Sequence, residues 1–105
     1  METPNTDYIN KLAGDDEDFR AQFISIIKEE FPVEKGEYLN YFNNNELKKA
    51  AEVVHKIKHK FNILGMTQAY GLAVDFEEDL KVGKTQLSQD FDAKLVTVEN
   101  YIKEM

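Results

Sequence analysis

Apolar residues recur at spacings of three and four through every long segment of this chain. The C-terminal segment is the clearest example, where the spacings are four, four, three and four between Leu87, Phe91, Leu95, Val98 and Ile102. Such spacing is typical of an amphipathic helix, and the alternation of apolar and polar residues that marks a strand is absent. Amphipathic helices joined by short connections bury their apolar faces against one another. The sequence therefore predicts an all-α protein, an antiparallel four-helix bundle (up-down-up-down) with a short extra N-terminal helix.

Glycine, proline and polar residues separate the predicted helices. Gly14 is expected to end the first helix, and Asp15 and Asp16 supply N-capping carboxylates for the second. Pro32 is expected to kink the second helix without dividing it. Thr67 is expected to be the N-cap of the fourth helix. The five helices are predicted at approximately residues 8–13, 17–42, 46–64, 67–81 and 86–103.

Length, charge and cysteine content limit the class of protein. A chain of 105 residues suits one hydrophobic core, so we expect a single domain over residues 1–105 with its core at about 8–104. Without cysteine, the chain forms no disulfide, thiolate nucleophile or cysteine-ligated zinc site. A net charge of -7 argues against DNA or RNA binding, which depends on a surplus of Lys and Arg. Since no leader or membrane-spanning apolar run is found, we expect a cytoplasmic protein that does not bind membranes. We also expect a monomer.

The third predicted helix carries both histidines of the chain, His55 and His59. On a helical wheel the apolar residues of this helix share one side, which consists of Leu47, Ala50, Val54, Ile57, Phe61 and Leu64. His55 falls on the border of that side, where the protein can orient one flank of the ring while a partner reaches the other. Five lysines near the histidines form a basic patch on an acidic chain: Lys48, Lys49, Lys56, Lys58 and Lys60. A patch of this kind suits an acidic partner or a phosphoryl group.

The border position of His55 suits a histidine that carries a phosphoryl group. A neutral imidazole nitrogen is a nucleophile towards phosphorus, and the phosphohistidine that forms can pass its group on. The reaction needs a reachable ring nitrogen, an acceptor that holds the other ring nitrogen, and positive charge beside the phosphoryl oxygens. Lys58 lies three residues after His55, in the neighbouring row of the helix surface, where it can supply the charge. The acceptor has to come from another helix.

The motif His55-Lys56-Ile57-Lys58, with Gly65 ten positions after the histidine, resembles the signature of histidine-containing phosphotransfer (HPt) domains. The short first helix, the acidic junction after it and the polar turn before the histidine helix are similar to the family's layout over nearly the whole chain. The resemblance implies a four-helix bundle without kinase activity. It also implies that the partners are receiver domains of hybrid histidine kinases and response regulators, whose aspartates exchange the phosphoryl group. No cofactor is implied for this chain, and Mg²⁺ is expected on the receiver.

By position, the resemblance makes His55 the phosphorylated residue and Lys58 the residue that stabilises the phosphoryl group. The family's orienting residue lies twenty-two positions after the histidine, which is Glu77, or Glu78 if the turn differs by one residue. A carboxylate at that place accepts the Nδ1 proton and leaves Nε2 as the nucleophile. From the sequence, the alternative that Glu77 is a surface carboxylate on the far side of its helix stays open.

One position departs from the family's pattern. The residue four after the histidine is usually glycine, which gives the receiver close access, whereas this chain has His59. Its ring is expected to obstruct the docking surface, to help bind a particular partner, or to point aside. The residues expected to contact a partner are His59, Asn62, Ile63, Met66, Lys56, Lys48 and Tyr8.

Three alternatives for the histidine helix stay open. The i, i+4 spacing of His55 and His59 suits a shared metal ion, but a third ligand is missing, and Lys56 replaces the glutamate of the metalloprotease pattern. The phosphoacceptor hairpin of sensor kinases also displays a histidine on a helix. That family usually has an acidic residue where Lys56 stands and a later proline, which is absent after Pro32. In a non-catalytic helical interaction module, both histidines would be solvated side chains.

Overall fold

Five α-helices make up most of residues 2–105, the part of the chain that the computed structural model describes. They are α1 (Asp7–Ala13), α2 (Glu17–Asn43), α3 (Leu47–Ile63), α4 (Thr67–Lys81) and α5 (Ser88–Lys103). No strand occurs among these residues. The prediction of an all-α fold with a short N-terminal helix is confirmed, because the spacing of apolar residues favours helices throughout.

Local capping chemistry sets two of the helix ends. The side chain of Asp16 accepts a hydrogen bond of 2.9 Å from the backbone N–H of Phe19, which caps α2 as predicted. Gly14 follows α1 with a φ of 57°, a conformation that glycine adopts without steric cost. The last helix begins at Ser88, two residues later than predicted, because residues 85–87 form a turn instead of the first helical turn.

The N-terminus of α4 is capped by a distant residue, and the prediction that Thr67 is its N-cap is wrong. Met66 occupies the N-cap position, and Thr67 is the first helical residue. The carboxylate of Glu2 accepts hydrogen bonds from the backbone N–H groups of Gln68 at 2.6 Å and Ala69 at 2.9 Å. Those N–H groups have no partner inside the helix, and a negative charge there interacts favourably with the helix dipole. Local spacing cannot reveal a cap that lies 66 residues away along the chain.

Gly65 is enclosed by the same N-terminal segment. The backbone N–H of Asn5 donates to the carbonyl of Leu64 at 2.8 Å, and a Cβ at Gly65 would lie 2.5 Å from Nδ2 of Asn5. Since Gly65 also has a φ of 73°, we expect Gly65→Ala to lower the free energy of unfolding by about 1–3 kcal/mol. Urea denaturation measures this change. The matched control is Gly71→Ala, whose Cβ would meet no atom within 4 Å; equal midpoints for Gly65→Ala and wild type would contradict the prediction.

The second helix continues through Pro32 as one helix of 27 residues, as predicted, and the kink stays a prediction. It spans ~40 Å at 1.5 Å per residue, against ~25 Å for the 17 residues of α3. Its apolar residues differ in exposure: Phe19 and Ile26 are 39% and 51% exposed, whereas Phe31 and Tyr38 are completely buried.

A hydrophobic core joins the five helices and fixes the orientation of α3. The apolar side predicted for this helix faces the core: Leu47 is partly buried, and solvent reaches none of Ala50, Val54, Ile57, Phe61 and Leu64. The ring of Tyr38 packs edge-on against Phe76 and Phe91, with centroids 6.0 and 5.1 Å away. Because complete burial of a large apolar side chain stabilises the fold by roughly 1.5–3 kcal/mol, the α3 face is strongly held against rotation.

The order of helix contacts determines which residues meet across the fold. The third helix contacts both α2 and α4, the fifth also contacts both α2 and α4, and the short first helix packs on α2. The principal-axis extents are 45 × 24 × 19 Å. Among the helices of residues 2–105, none combines the length and the apolar composition needed to cross a membrane. The contact between α3 and α4 brings the histidine region within reach of α4 side chains.

Candidate functional site

His55 lies on an exposed border of α3. Its side chain is 52% exposed, whereas Val54 and Ile57 on the same helix are completely buried. Close packing of the buried residues holds the backbone at His55, while the imidazole remains reachable from outside. The predicted border position is confirmed.

Glu77 reaches this imidazole from α4. Its Oε1 and Oε2 lie 3.3 and 3.2 Å from Nδ1 of His55, and the residue is only 7% exposed. The structure brings Glu77 to the histidine and leaves Glu78 exposed, with Nζ of Lys81 at 3.4 Å from its Oε1. When the Nδ1–H group donates a hydrogen bond to the carboxylate, Nε2 carries the free lone pair of the neutral ring.

Lys58 contacts the carboxylate of Glu77. Its Nζ donates to Oε1 at 2.9 Å, and the two side chains are only 13% and 10% exposed. Lys81, one turn after Glu77 on α4, places a second ammonium group 3.5 Å from Oε2. Glu77 thus lies among an imidazole and two ammonium groups. Lys81 is not among the residues predicted from the motif, and its i, i+4 spacing from Glu77 is the signal that could have found it.

The neighbours of Glu77 determine its charge. Burial by itself raises the pKa of a carboxyl group, because it disfavours the charged form. Hydrogen bonds from Lys58 and His55, together with their charges, outweigh burial and hold the pKa of Glu77 below its usual value. The carboxylate is therefore ionised at neutral pH and can accept hydrogen bonds from both side chains.

His59 packs against His55 on the exposed surface of α3. The ring centroids lie 5.0 Å apart and the ring planes make an angle of 87°, which is an edge-to-face arrangement. The ring therefore contacts His55, and its expected effect on a partner stays a prediction. Within residues 2–105, no group of three or more His, Cys, Asp or Glu side chains is arranged to hold a metal ion.

An open depression lies beside His55, between α3 and α4. Its volume is about 380 Å³, and it is lined by Lys48, Ala51, Glu52, His55, Glu77 and Lys81. Three other α3 residues line the depression, and they lie one or two turns before His55: Lys48, Ala51 and Glu52. His59 lies one turn after His55, on the opposite side from these residues. Two lysines therefore border the space next to the imidazole.

The other residues predicted to contact a partner differ in their exposure. Three of them are exposed, Lys48, Lys56 and Asn62. Two apolar ones are partly exposed, since Ile63 is half-buried and Tyr8 is 43% exposed. These five residues are available for contact with another molecule.

Met66 is completely buried, so its prediction as a docking residue is wrong. Its backbone N–H donates to the carbonyl of Phe61 at 2.9 Å, within the turn that connects α3 to α4. Its side chain belongs to the hydrophobic core. The flexible thioether of methionine fills core space well, and an apolar residue near the histidine is buried whenever the core offers that space.

The described contacts assemble an exposed imidazole whose Nδ1 is held by an ionised carboxylate. Lys58 and Lys81 lie against the same carboxylate. An imidazole held in this way can react through Nε2 with an electrophile that a partner brings. Comparison of the chain with protein-family models, with curated proteins and with solved structures finds no match.

Proposed function

We propose that this protein is a histidine phosphotransfer protein, which relays a phosphoryl group between receiver-domain aspartates in a multistep two-component phosphorelay through phospho-His55. The observation that carries the proposal is the contact of 3.2 Å between Nδ1 of His55 and Glu77, made by an imidazole that is 52% exposed. This contact orients the ring and leaves Nε2 for reaction. The resemblance of the His55 to Gly65 motif to HPt domains supports the same function.

Uptake of the phosphoryl group balances without a further reactant. The lone pair of Nε2 attacks the phosphorus of an aspartyl phosphate on the receiver and forms an N–P bond. The bond between phosphorus and the carboxylate oxygen breaks, and its electron pair leaves with the aspartate. The imidazole keeps its Nδ1 proton and becomes positively charged, and the carboxylate of Glu77 stabilises that charge. Delivery to the next receiver reverses these steps.

In this proposal the protein is a carrier. It has no kinase activity of its own and binds no cofactor, and the Mg²⁺ ion belongs to the receiver, as the resemblance implies. Because receiver domains act in the cytoplasm, the proposal places the protein there. It works as a monomer and as a single domain over residues 1–105.

The proposal includes the finer architecture of the HPt family, an antiparallel four-helix bundle of α2 to α5 with α1 as the extra helix. The helix contacts support this arrangement, because α2 contacts α3, α3 contacts α4, α4 contacts α5, and α5 contacts α2. Helices joined by short connections pack as antiparallel neighbours, and the connections here are residues 44–46, 64–66 and 82–87. The proposed site lies on the outside of this bundle, between α3 and α4.

We place the surface that docks receiver domains around His55. Exposed lysines on α3 complement the acidic pocket of a receiver and orient it during the encounter. Partly exposed apolar residues add contact area to a complex that has to form and dissociate repeatedly. The residues proposed for this surface are Lys48, Lys56, His59, Asn62, Ile63 and Tyr8.

Labelling of the wild-type protein tests the proposed function. The donors are phosphoramidate, a small phosphoryl donor, and each phosphorylated receiver domain encoded in the genome that encodes this chain. We expect an acid-labile, base-stable label that maps to His55 by mass spectrometry and that at least one receiver supplies. The absence of label from every donor would overturn the proposal.

A further inference from the structure

In the proposed phosphotransfer reaction, the phosphoryl group brings about two negative charges to His55 and needs cations beside it. The motif indicates Lys58, but its ammonium group already binds Oε1 of Glu77 at 2.9 Å, and both side chains are nearly buried. Withdrawing Lys58 towards the phosphoryl group would remove the closest partner of a nearly buried carboxylate, which is unfavourable. The positive charge beside the phosphoryl group therefore has to come from other side chains.

Two lysines border the depression next to His55. Lys48 lies seven positions before His55, two helical turns away on the same face of α3, and Lys81 lies on α4. The volume of about 380 Å³ leaves room for a phosphoryl group. Both lysines are exposed, and the contacts of Lys81 with Glu77 at 3.5 Å and Glu78 at 3.4 Å are longer than the 2.9 Å contact of Lys58. Their ammonium groups can therefore turn towards a bound phosphoryl group while Lys58 stays on Glu77.

Two ammonium groups border the depression and can bind an anion there. The closest carboxylate contacts of Lys81 are with Glu78 at 3.4 Å and Glu77 at 3.5 Å. The hydrogen bond with Glu78 and its charge raise the pKa of Lys81, so its ammonium group stays charged. Two carboxylates line the depression, and Lys58 already neutralises the one on Glu77. Glu52 and the exposed Glu78, which lies outside the lining, are the other carboxylates near the two lysines, and a phosphoryl group with about two negative charges competes with them for the two ammonium groups.

We propose that Lys48 and Lys81 bind the phosphoryl oxygens of the group on His55, while Lys58 stays paired with Glu77. The inference rests on the proposed function, because it names the residues that hold the transferred group. His59 lies one turn after His55 and packs against its imidazole ring, whereas the depression lies on the side of the turns before His55. The phosphoryl group enters through the depression.

Phosphohistidine formation in lysine variants tests the inference, with phosphoramidate as the donor. Because this donor has no protein surface, a slower reaction reports on phosphoryl binding and not on recognition of a receiver. Lys48→Gln and Lys81→Gln are made singly and together. The matched control is Lys84→Gln, which changes an exposed lysine that does not line the depression. Phosphorus NMR follows the rate, and circular dichroism checks the helical content.

We expect each single variant to react about 3–10-fold more slowly and the double variant more than ~10-fold more slowly, while Lys84→Gln stays within about twofold of wild type. Lys81→Arg keeps the charge and is expected to recover most of the rate lost in Lys81→Gln. If only a receiver labels the wild type, that receiver replaces phosphoramidate, and the rates are compared at saturating receiver, where weaker docking no longer lowers the rate.

The outcomes separate this inference from the function on which it rests. Equal rates for the double variant and Lys84→Gln would overturn the role of the two lysines and leave the phosphotransfer function standing. A wild-type protein that takes no label from phosphoramidate or from any receiver would overturn both.

Discussion

Replacement of His55 by glutamine is expected to abolish phosphoryl uptake and to leave the fold intact. A glutamine amide has no nucleophilic nitrogen, so the N–P bond cannot form. The side chain of His55 is 52% exposed and lies outside the hydrophobic core, so the free energy of unfolding is expected to change by less than about 1 kcal/mol. Labelling with a phosphorylated receiver, together with circular dichroism and urea denaturation, measures both effects.

The control for this variant is His59→Gln, which removes the other histidine of the chain. We expect it to keep a substantial part of the labelling, because His59 contacts the reacting ring without being the phosphoacceptor in the proposed reaction. Equal loss of label in the two variants would favour a site that uses both histidines. Label that persists in His55→Gln would remove His55 from the proposed role.

Replacement of Glu77 by alanine is expected to slow phosphoryl uptake by about 10–100-fold, by analogy with the cost of losing the carboxylate that orients a metal-binding histidine. The imidazole loses the acceptor for its Nδ1 proton, and Lys58 loses the partner that lies 2.9 Å away. Because the Lys58 side chain is only 13% exposed, we also expect a loss of about 1–3 kcal/mol in the free energy of unfolding. Labelling rates and urea denaturation test the two expectations.

Glu77→Gln is the matched variant, because its amide oxygen still accepts hydrogen bonds from Nδ1 and from Lys58. We expect its labelling rate to lie between wild type and Glu77→Ala, because the amide keeps the acceptor for Nδ1 and loses the negative charge that stabilises the phosphorylated imidazole. If Glu77→Ala is labelled at the wild-type rate, the orienting role of this carboxylate is wrong. If the two variants are equally slow, the negative charge matters more than the acceptor.

The pH dependence of stability gives a further test of Glu77. Its pKa in the folded protein lies below the ordinary value of a glutamate in the unfolded chain, because Lys58 and His55 donate hydrogen bonds to the ionised carboxylate. The stabilisation from the ionised carboxylate is therefore complete above the unfolded value and is lost as the pH falls through the folded value. Urea denaturation between pH 3 and 6 should show wild type losing stability faster than Glu77→Gln as the pH falls. Parallel curves would contradict the lowered pKa.

Much of the helical fold was predictable from local patterns. The burial of Val54, Ile57 and Phe61 follows from their spacing, because residues three and four apart share one face of a helix. The cap at Asp16 followed from the preference of Asp for helix N-termini. The first residue of α5 and the exposure of Ile26 were less predictable, because the first depends on the turn before the helix and the second on which face the neighbouring helices cover.

The sequence by itself determined that the chain is helical, which face of α3 is buried, and that His55 lies on the border of that face. Only the tertiary structure decided that Lys58 pairs with Glu77, that Lys81 lies against the same carboxylate, and that Met66 belongs to the core. Contacts between helices depend on the angle and register of packing, which the spacing of residues within one helix does not encode.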